Sequence, residues 1–209
     1  FSIKTIEGVI RPAIGAYMPR EDGSLGLLVD VGLNADCKPE NLNQFALLGS
    51  LFAEHILKIN NPKVGLVNLG EEEGKGNLLT QATYNLLKEN DQIHFIGNIE
   101  GRDILIDKAD VMVCEGFTGN VVLKMAESVY DIVKRRKIED EHFNRFNFES
   151  YGGVPVLGVA KPVIIGHGIS GKTAFCNMIH IAQKMMETNL TEKIKNCFSL
   201  SEEIVNTNN

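Results

Sequence analysis

Apolar and polar positions along this chain alternate between two periods. Short, almost wholly apolar runs suit buried strands, and each is followed by a segment whose apolar residues recur every three or four places, as on a helix face. Residues 110–127 show the unit most clearly: Val111, Met112, Val113 and Cys114 form the run. Gly116, Phe117, Thr118, Gly119 and Asn120 break it, and Val121, Val122, Met125, Val129 and Ile132 restart it at helical spacing. Upstream, residues 11–19 and 25–31 read as two strands joined at Asp22-Gly23, a hairpin signal. The second of these, LGLLVDVG, is apolar enough to be covered on both faces. It runs into Asp30, Gly32, Asn34 and Asp36 at a strand's carboxyl end, where open α/β sheets place ligands.

The same alternation continues. Pro39 opens a helix that sets Leu42, Phe45, Ala46, Gly49, Phe52, Ala53 and Ile56 on one face, and His55 at its edge is read as structural. A strand at 63–68, a glycine loop at 68–77 and a helix to about Asn90 follow, then a strand at 93–98 ending in Gly-Asn. From 134 to 150 the pattern is lost among charges and Phe143, Phe146 and Phe148, which predicts a loop, a helical excursion or a deletion. Strands at 154–158 and 162–165 come next. A helix over 172–188 puts Phe175, Met178, Ile179, Ala182 and Met186 on one face, and a closing helix follows Thr191. Strands and helices alternating at these lengths predict one α/β domain over 1–209, built on a parallel sheet with right-handed crossovers. The chain opens at Phe1, without Met and inside an apparent strand, as a fragment would.

Composition narrows the classes. The 209 residues, 44% of them apolar, suffice for one α/β core, and a net charge of −6 gives no sign of a nucleic-acid surface. The basic cluster Lys134-Arg135-Arg136-Lys137 meets acids at once and reads as a solvated helix end. Cys37, Cys114, Cys176 and Cys197 form no CxxC pair, and Cys114 and Cys176, in apolar runs, read as reduced packing residues of a cytoplasmic protein. The five histidines show no metal spacing, so no metal is expected. No run approaches a membrane span, and no signal peptide is evident.

Chemistry concentrates in the glycine loops. A strand–glycine turn–helix unit aims first-turn amides at an anion; a plain connection is the alternative. In Gly74-Lys75-Gly76-Asn77 a lysine between two glycines is a poor packing choice and a good mobile cation. The preceding Glu71, Glu72 and Glu73 either orient Lys75 or Asn77 or face water. Residues 166–173, GHGISGKT, match the GxxxxGK[ST] nucleotide loop between a strand and a helix. Too little chain follows for the usual sheet, the best Mg²⁺-holding acid (Asp30) lies upstream, and 107–110 only weakly echo a base-recognition motif. A simpler glycine-rich anion loop carrying His167 and Ser170 is preferred.

Six ordered motifs together are specific: DVGLNADCKPE (30–40), NLGEEEGKGN (68–77), FIGNIEGRD (95–103), VMVCEGFTGNVVLK (111–124), YGGVPVLGV (151–159) and HGIS (167–170). On them the chain resembles the PlsX family, the phosphate acyltransferases of bacterial phospholipid synthesis. The resemblance implies a Rossmann-like α/β/α sandwich with a mainly parallel sheet, similar to phosphotransacetylase and isocitrate dehydrogenase. It implies acyl transfer from acyl carrier protein to inorganic phosphate, without a cofactor. It also implies a cytoplasmic homodimer, associating peripherally with the membrane, that feeds a membrane-bound glycerol-3-phosphate acyltransferase. The family's opening Asp-Ala-Met-Gly-Gly-Asp segment is absent here, so the chain reads as the carboxyl-terminal two-thirds of a member. Its segment at 138–149 is shorter, and Glu115 stands where the family usually has Asp.

Phosphate is already a nucleophile and a thioester is already activated, so the reaction needs an anion site, oxyanion donors and room for an acyl tail. The amides of Gly74, Gly76 and Asn77, and of Gly119 and Asn120, are nominated for phosphate, with Lys75 as countercharge. Asn77 and Asn120 are donors to phosphate or oxyanion, and His167 protonates the leaving thiolate or orients phosphate. Lys124, Gly168 and Ser170 are secondary, and Asp30 and Asn34 order a neighbouring loop. Arg11, Arg20 and Arg102 either meet the acidic carrier protein or are ordinary surface.

Overall fold

The Asp22-Gly23 turn joins β1 (Ala13–Pro19) to β2 (Leu25–Val29) as an antiparallel hairpin, with Pro19 opposite Leu25. The computed structural model describes residues 3–147, 150–168 and 170–207, so Phe1, Phe148 and Ile169 lie outside the described residues. The opening strand is not found over 3–10, which are turns and irregular backbone with one isolated bridge at Thr5. The other strands are β3 (Lys63–Asn68), β4 (His94–Glu100), β5 (Val111–Val113), β6 (Val154–Leu157) and β7 (Val163–Ile165). The helices are α1 (Pro39–Phe52), α2 (Leu78–Glu89), α3 (Gly116–Arg135), the short α4 (Glu141–Asn144), α5 (Lys172–Glu187) and α6 (Leu190–Thr207).

One sheet runs β4-β3-β5-β2-β1-β6-β7. The ladders from β4 to β2 are parallel, and those from β2 to β7 are antiparallel. Two reversals return β6 to the direction of β2, so only β1 and β7 oppose the rest and the sheet is mainly parallel. Strand β2 is central and apolar because both its faces are covered. Leu27 and Val29 pack with Leu42, Phe45 and Ala46 of α1, whereas Leu28 packs with Ile99 and Met112 on the other side. Helices α1, α2 and α6 cover the first face, and Val122 and Leu123 of α3 lie over the second. The result is an α/β/α sandwich.

Three local expectations are corrected. The glycines at 116–120 are not a turn before a helix; they are the first turn of α3 itself. Strand β4 does not stop at Asn98 but runs on to Glu100 across a bulge, where Val64 faces Phe95 while Leu66 faces Asn98. Gly97, at φ +97°, takes the backbone conformation that the extra residue requires. The apolar stripes read on α3 and α5 also point outward. Val121, Met125, Val129 and Ile132, and likewise Phe175, Ile179 and Met186, are exposed; of the residues read on those stripes Met178 is buried and Val122 packs partly on the core, and α5 adds Ala174 and Met185. Each helix carries two apolar stripes, and sheet contact, not period, decides which is buried. The segment after Arg135 is a helical excursion of one short turn, α4, capped by Asp140. Among the described residues no helix is long and apolar enough to cross a membrane.

Candidate active site

At the carboxyl end of β3 the loop 68–77 is shaped by side-chain amides. Asn68 Nδ2 donates to the Lys75 carbonyl (3.0 Å), and Asn98 Nδ2 donates to that of Glu72 (2.8 Å). Gln81 Nε2 donates to the carbonyls of Gly74 (3.1 Å) and Gly76 (3.0 Å). Asn77 caps α2 by accepting from the Thr80 amide at 2.9 Å. Gly76, at φ +98°, admits no side chain, since a Cβ would meet Thr80 Oγ1 at 2.0 Å and Asn68 Oδ1 at 2.3 Å.

The three glutamates are struts. Glu71 binds Lys108 (2.6 Å), Glu73 binds Lys88 (2.9 Å), and Glu72 lies 3.9 Å from Lys75. Lys108 also holds Asp103 at 2.7 Å. Burial would raise the Asp103 carboxyl, but Lys108 and the Glu100 amide outweigh it and hold it below its ordinary value. The hydrogen bonds to Asp103 and Glu71 raise Lys108 in turn. Glu71, Glu100 and Asp103 gather their carboxylates, but Lys108 already occupies that cluster.

Across β5, Asp30 and Asn34 order the turn after β2. Asp30 is fully buried and accepts from Ile14 N (2.9 Å), Asn34 N (2.7 Å) and Asn34 Nδ2 (2.9 Å). The start of α3 is pressed onto this turn: a Cβ on Gly116 would meet the Asn34 backbone at 2.8 Å, and one on Gly119 the Asp30 carbonyl at 1.8 Å. The α3 amides are largely spent. Gly116 N donates to Asn34 O, Gly119 N to Glu115 O, and Thr118 N to the Glu115 carboxylate at 3.0 Å. Gly119 therefore serves close packing and presents no open amide to an anion. Burial, with Asp30 next, pushes the Cys37 thiol up to about 11; burial, with Glu115 next, holds Cys114 well above its usual value. Neither is a thiolate nucleophile at neutral pH.

From Asn120, whose Nδ2 donates to Val31 O at 3.2 Å, an apolar groove of about 280 Å³ runs between α3 and β1, β6 and β7. Ile14, Ala16, Met18, Leu123 and Val154 line it, with Lys124 and His167 at its rim. Lys124 is engaged by Glu127 at 2.7 Å. His167, two residues past the end of β7, lines the same groove as Asn120.

The nominated residues thus fall into three places. Lys75, Asn77, Gly74 and Gly76 form the β3 loop; Asp30, Asn34, Gly119 and Asn120 form the β2–α3 junction; Lys124, His167, Gly168 and Ser170 lie along or beyond the groove. Asn68, Asn98 and Gln81 were not nominated. Gly-Asn at 97–98 marked one of them, but no sequence signal singles out Gln81. Arg20 is not a carrier-protein contact: it is buried and bound to Asp110 (2.8 Å) and Asp107 (3.0 Å). The nucleotide-loop pattern at 166–173 follows β7, an edge strand running against β6, so among the described residues no parallel neighbour stands beside it to supply a Mg²⁺-holding acid.

A family model described as "Fatty acid synthesis protein" matches residues 1–193. The chain belongs to this family. A phosphate acyltransferase of Halothermothrix orenii is 40% identical over 215 residues, covering 93% of this chain and 64% of that protein. The phosphate acyltransferase of Aquifex aeolicus is 43% identical over 213 residues, covering 93% of this chain and 63% of its own length. The chain thus spans a little under two-thirds of these family members. In fold it is similar to a phosphotransacetylase from Streptococcus pyogenes, with a TM-score of 0.58 over 88% of this chain and 57% of that one, at 19% identity.

Proposed function

We propose that the full-length protein is a phosphate acyltransferase that moves a long-chain acyl group from the thioester of acyl carrier protein to inorganic phosphate. A phosphate oxygen attacks the thioester carbon, the tetrahedral oxyanion collapses, and the carrier's thiolate leaves and takes up a proton. The observation that carries this reading is the loop 68–77. It sits at a strand's carboxyl edge, sets Lys75 between two glycines, and has its carbonyls tied inward by side-chain donors. Family membership supports the same chemistry.

In this reading Lys75 and the amides of Gly74, Gly76 and Asn77 hold phosphate. Asn120, at the same edge of the sheet, donates to the oxyanion, and the acyl tail lies in the groove beyond it. Asp30, Asn34 and Gly119 keep that end in shape. Lys124 and His167 line the groove with Asn120, and His167 protonates the leaving thiolate or orients phosphate, with Gly168 and Ser170 beside it. The exposed stripes of α3 and α5 suit burial against a second copy in a cytoplasmic homodimer. The basic end of α3 suits peripheral contact with an anionic membrane, where a glycerol-3-phosphate acyltransferase would consume the product.

The test is free-thiol release from long-chain acyl carrier protein by the full-length protein, with and without inorganic phosphate. Phosphate-dependent release is expected. Release that ignores phosphate, or none in either case, would overturn the reading.

A further inference from the structure

We infer that Asn68, Asn98 and Gln81 are positioning residues that aim the amides of the 68–77 loop at the anion; the inference rests on the phosphate reading above. In a planar trans peptide the carbonyl of one residue and the N–H of the next point opposite ways. A donor that draws a carbonyl inward therefore turns the following N–H outward. Asn68 Nδ2 holds the Lys75 carbonyl at 3.0 Å, which turns the Gly76 N–H away from Asn68. Gln81 Nε2 holds the Gly76 carbonyl at 3.0 Å, which turns the Asn77 N–H away from Gln81. Both N–H groups are thereby offered at the start of α2, where backbone donors favour an anion.

Asn68 is itself fixed. Its Oδ1 accepts from Leu69 N (2.9 Å), and its second Nδ2 proton goes to Asn98 Oδ1 (3.1 Å). Asn98 is buried, and its own Nδ2 holds the Glu72 carbonyl at 2.8 Å. The β4 bulge is what puts Asn98 there. Without the extra residue, Gly97 would face Leu66 and Asn98 would turn to the other side of the sheet. The bulge lies outside the loop and ends on the same contact. Gly76 completes the device, because only a residue without Cβ lets the Asn68 amide pack directly beneath it. The cradle is thus set by neutral amide side chains, while Glu71 and Glu73 are tied off outside it.

The test is calorimetric binding of inorganic phosphate to the full-length protein, with steady-state kinetics alongside, for Asn98→Leu, Gln81→Met and Lys75→Ala. Asn98→Leu and Gln81→Met are expected to weaken phosphate binding at least tenfold. They should raise KM for phosphate while leaving KM for the acyl carrier substrate within twofold, a split that general loss of structure would not give. Gln81 is exposed, so its variant keeps the test decisive if Asn98→Leu does not fold. If Lys75→Ala weakens phosphate binding and both amide variants bind it normally, the positioning role is wrong. If Lys75→Ala also binds phosphate normally, the phosphate reading itself falls, and this inference with it.

Discussion

Asp30 is a carboxylate used as a building part. It is fully buried, and its two oxygens gather the amides of Ile14 and Asn34, the Asn34 side chain, and more loosely Leu33 at 3.3 Å. Asp30→Ala would strand those donors, and a loss of about 3–5 kcal/mol is expected, read as a lower midpoint in urea. Gly76→Ala acts differently. Its Cβ would displace Asn68 and Thr80 at a backbone angle that disfavours any side chain, so on the proposed function phosphate KM should rise more than tenfold with only a modest fall in Tm. At this scale the sequence was readable wherever a residue type was out of character for its place. Lys75 between glycines and Asp30 ending an apolar strand are of that kind. Asn98 and Gln81 are ordinary polar residues whose roles depend on a bulge and on a helix phase, neither of which local composition fixes.

Among the elements, α3 depends on how its first turn meets the loop after β2. Glu115 reaches the Thr118 amide and hydroxyl as an N-cap, a task its length permits. Glu115→Ala should cost about 1 kcal/mol in thermal or denaturant unfolding. Gly119→Ala should cost more, since the helix must back away from the Asp30 carbonyl. The 68–77 loop is strapped to the turn after β4 through Lys108 and Asp103. Asp103 has a depressed pKa, so its contribution is complete above the ordinary carboxylate range and is lost as pH falls through its lowered value. Lys108 has a raised pKa, so its share is complete below the usual lysine value and is lost as pH rises past the raised one. Lys108→Met should therefore flatten both ends of the stability–pH curve and lower its middle by about 2 kcal/mol. Element order and type were legible outside 134–150 and the start of α3, because period and turn residues are local. The buried stripe of α3 and α5 was not, because the choice lies with the partner surface.

Over the whole molecule, the sheet joins two kinds of construction. From β4 to β2 it is a parallel sheet, with α1 between β2 and β3 and α2 between β3 and β4, whereas β1, β6 and β7 form an antiparallel margin. The sequence showed the first half well through its alternation, and the β1–β2 hairpin through Asp22-Gly23. It gave little sign that β6 would come back to lie beside β1, a pairing of segments remote in the chain. That pairing is brief: Ala13 faces Leu157, Ile14 faces Val156, and an isolated bridge joins Thr5 to Val159. A seam so short divides the protein into cooperative units of unequal strength. Amide hydrogen exchange should show β6 and β7 opening before β2, β3 and β5. The apolar groove crosses this seam, one wall in each unit, so a lipid tail lying in it would act as a rivet and slow exchange on the weaker side in proportion to its occupancy.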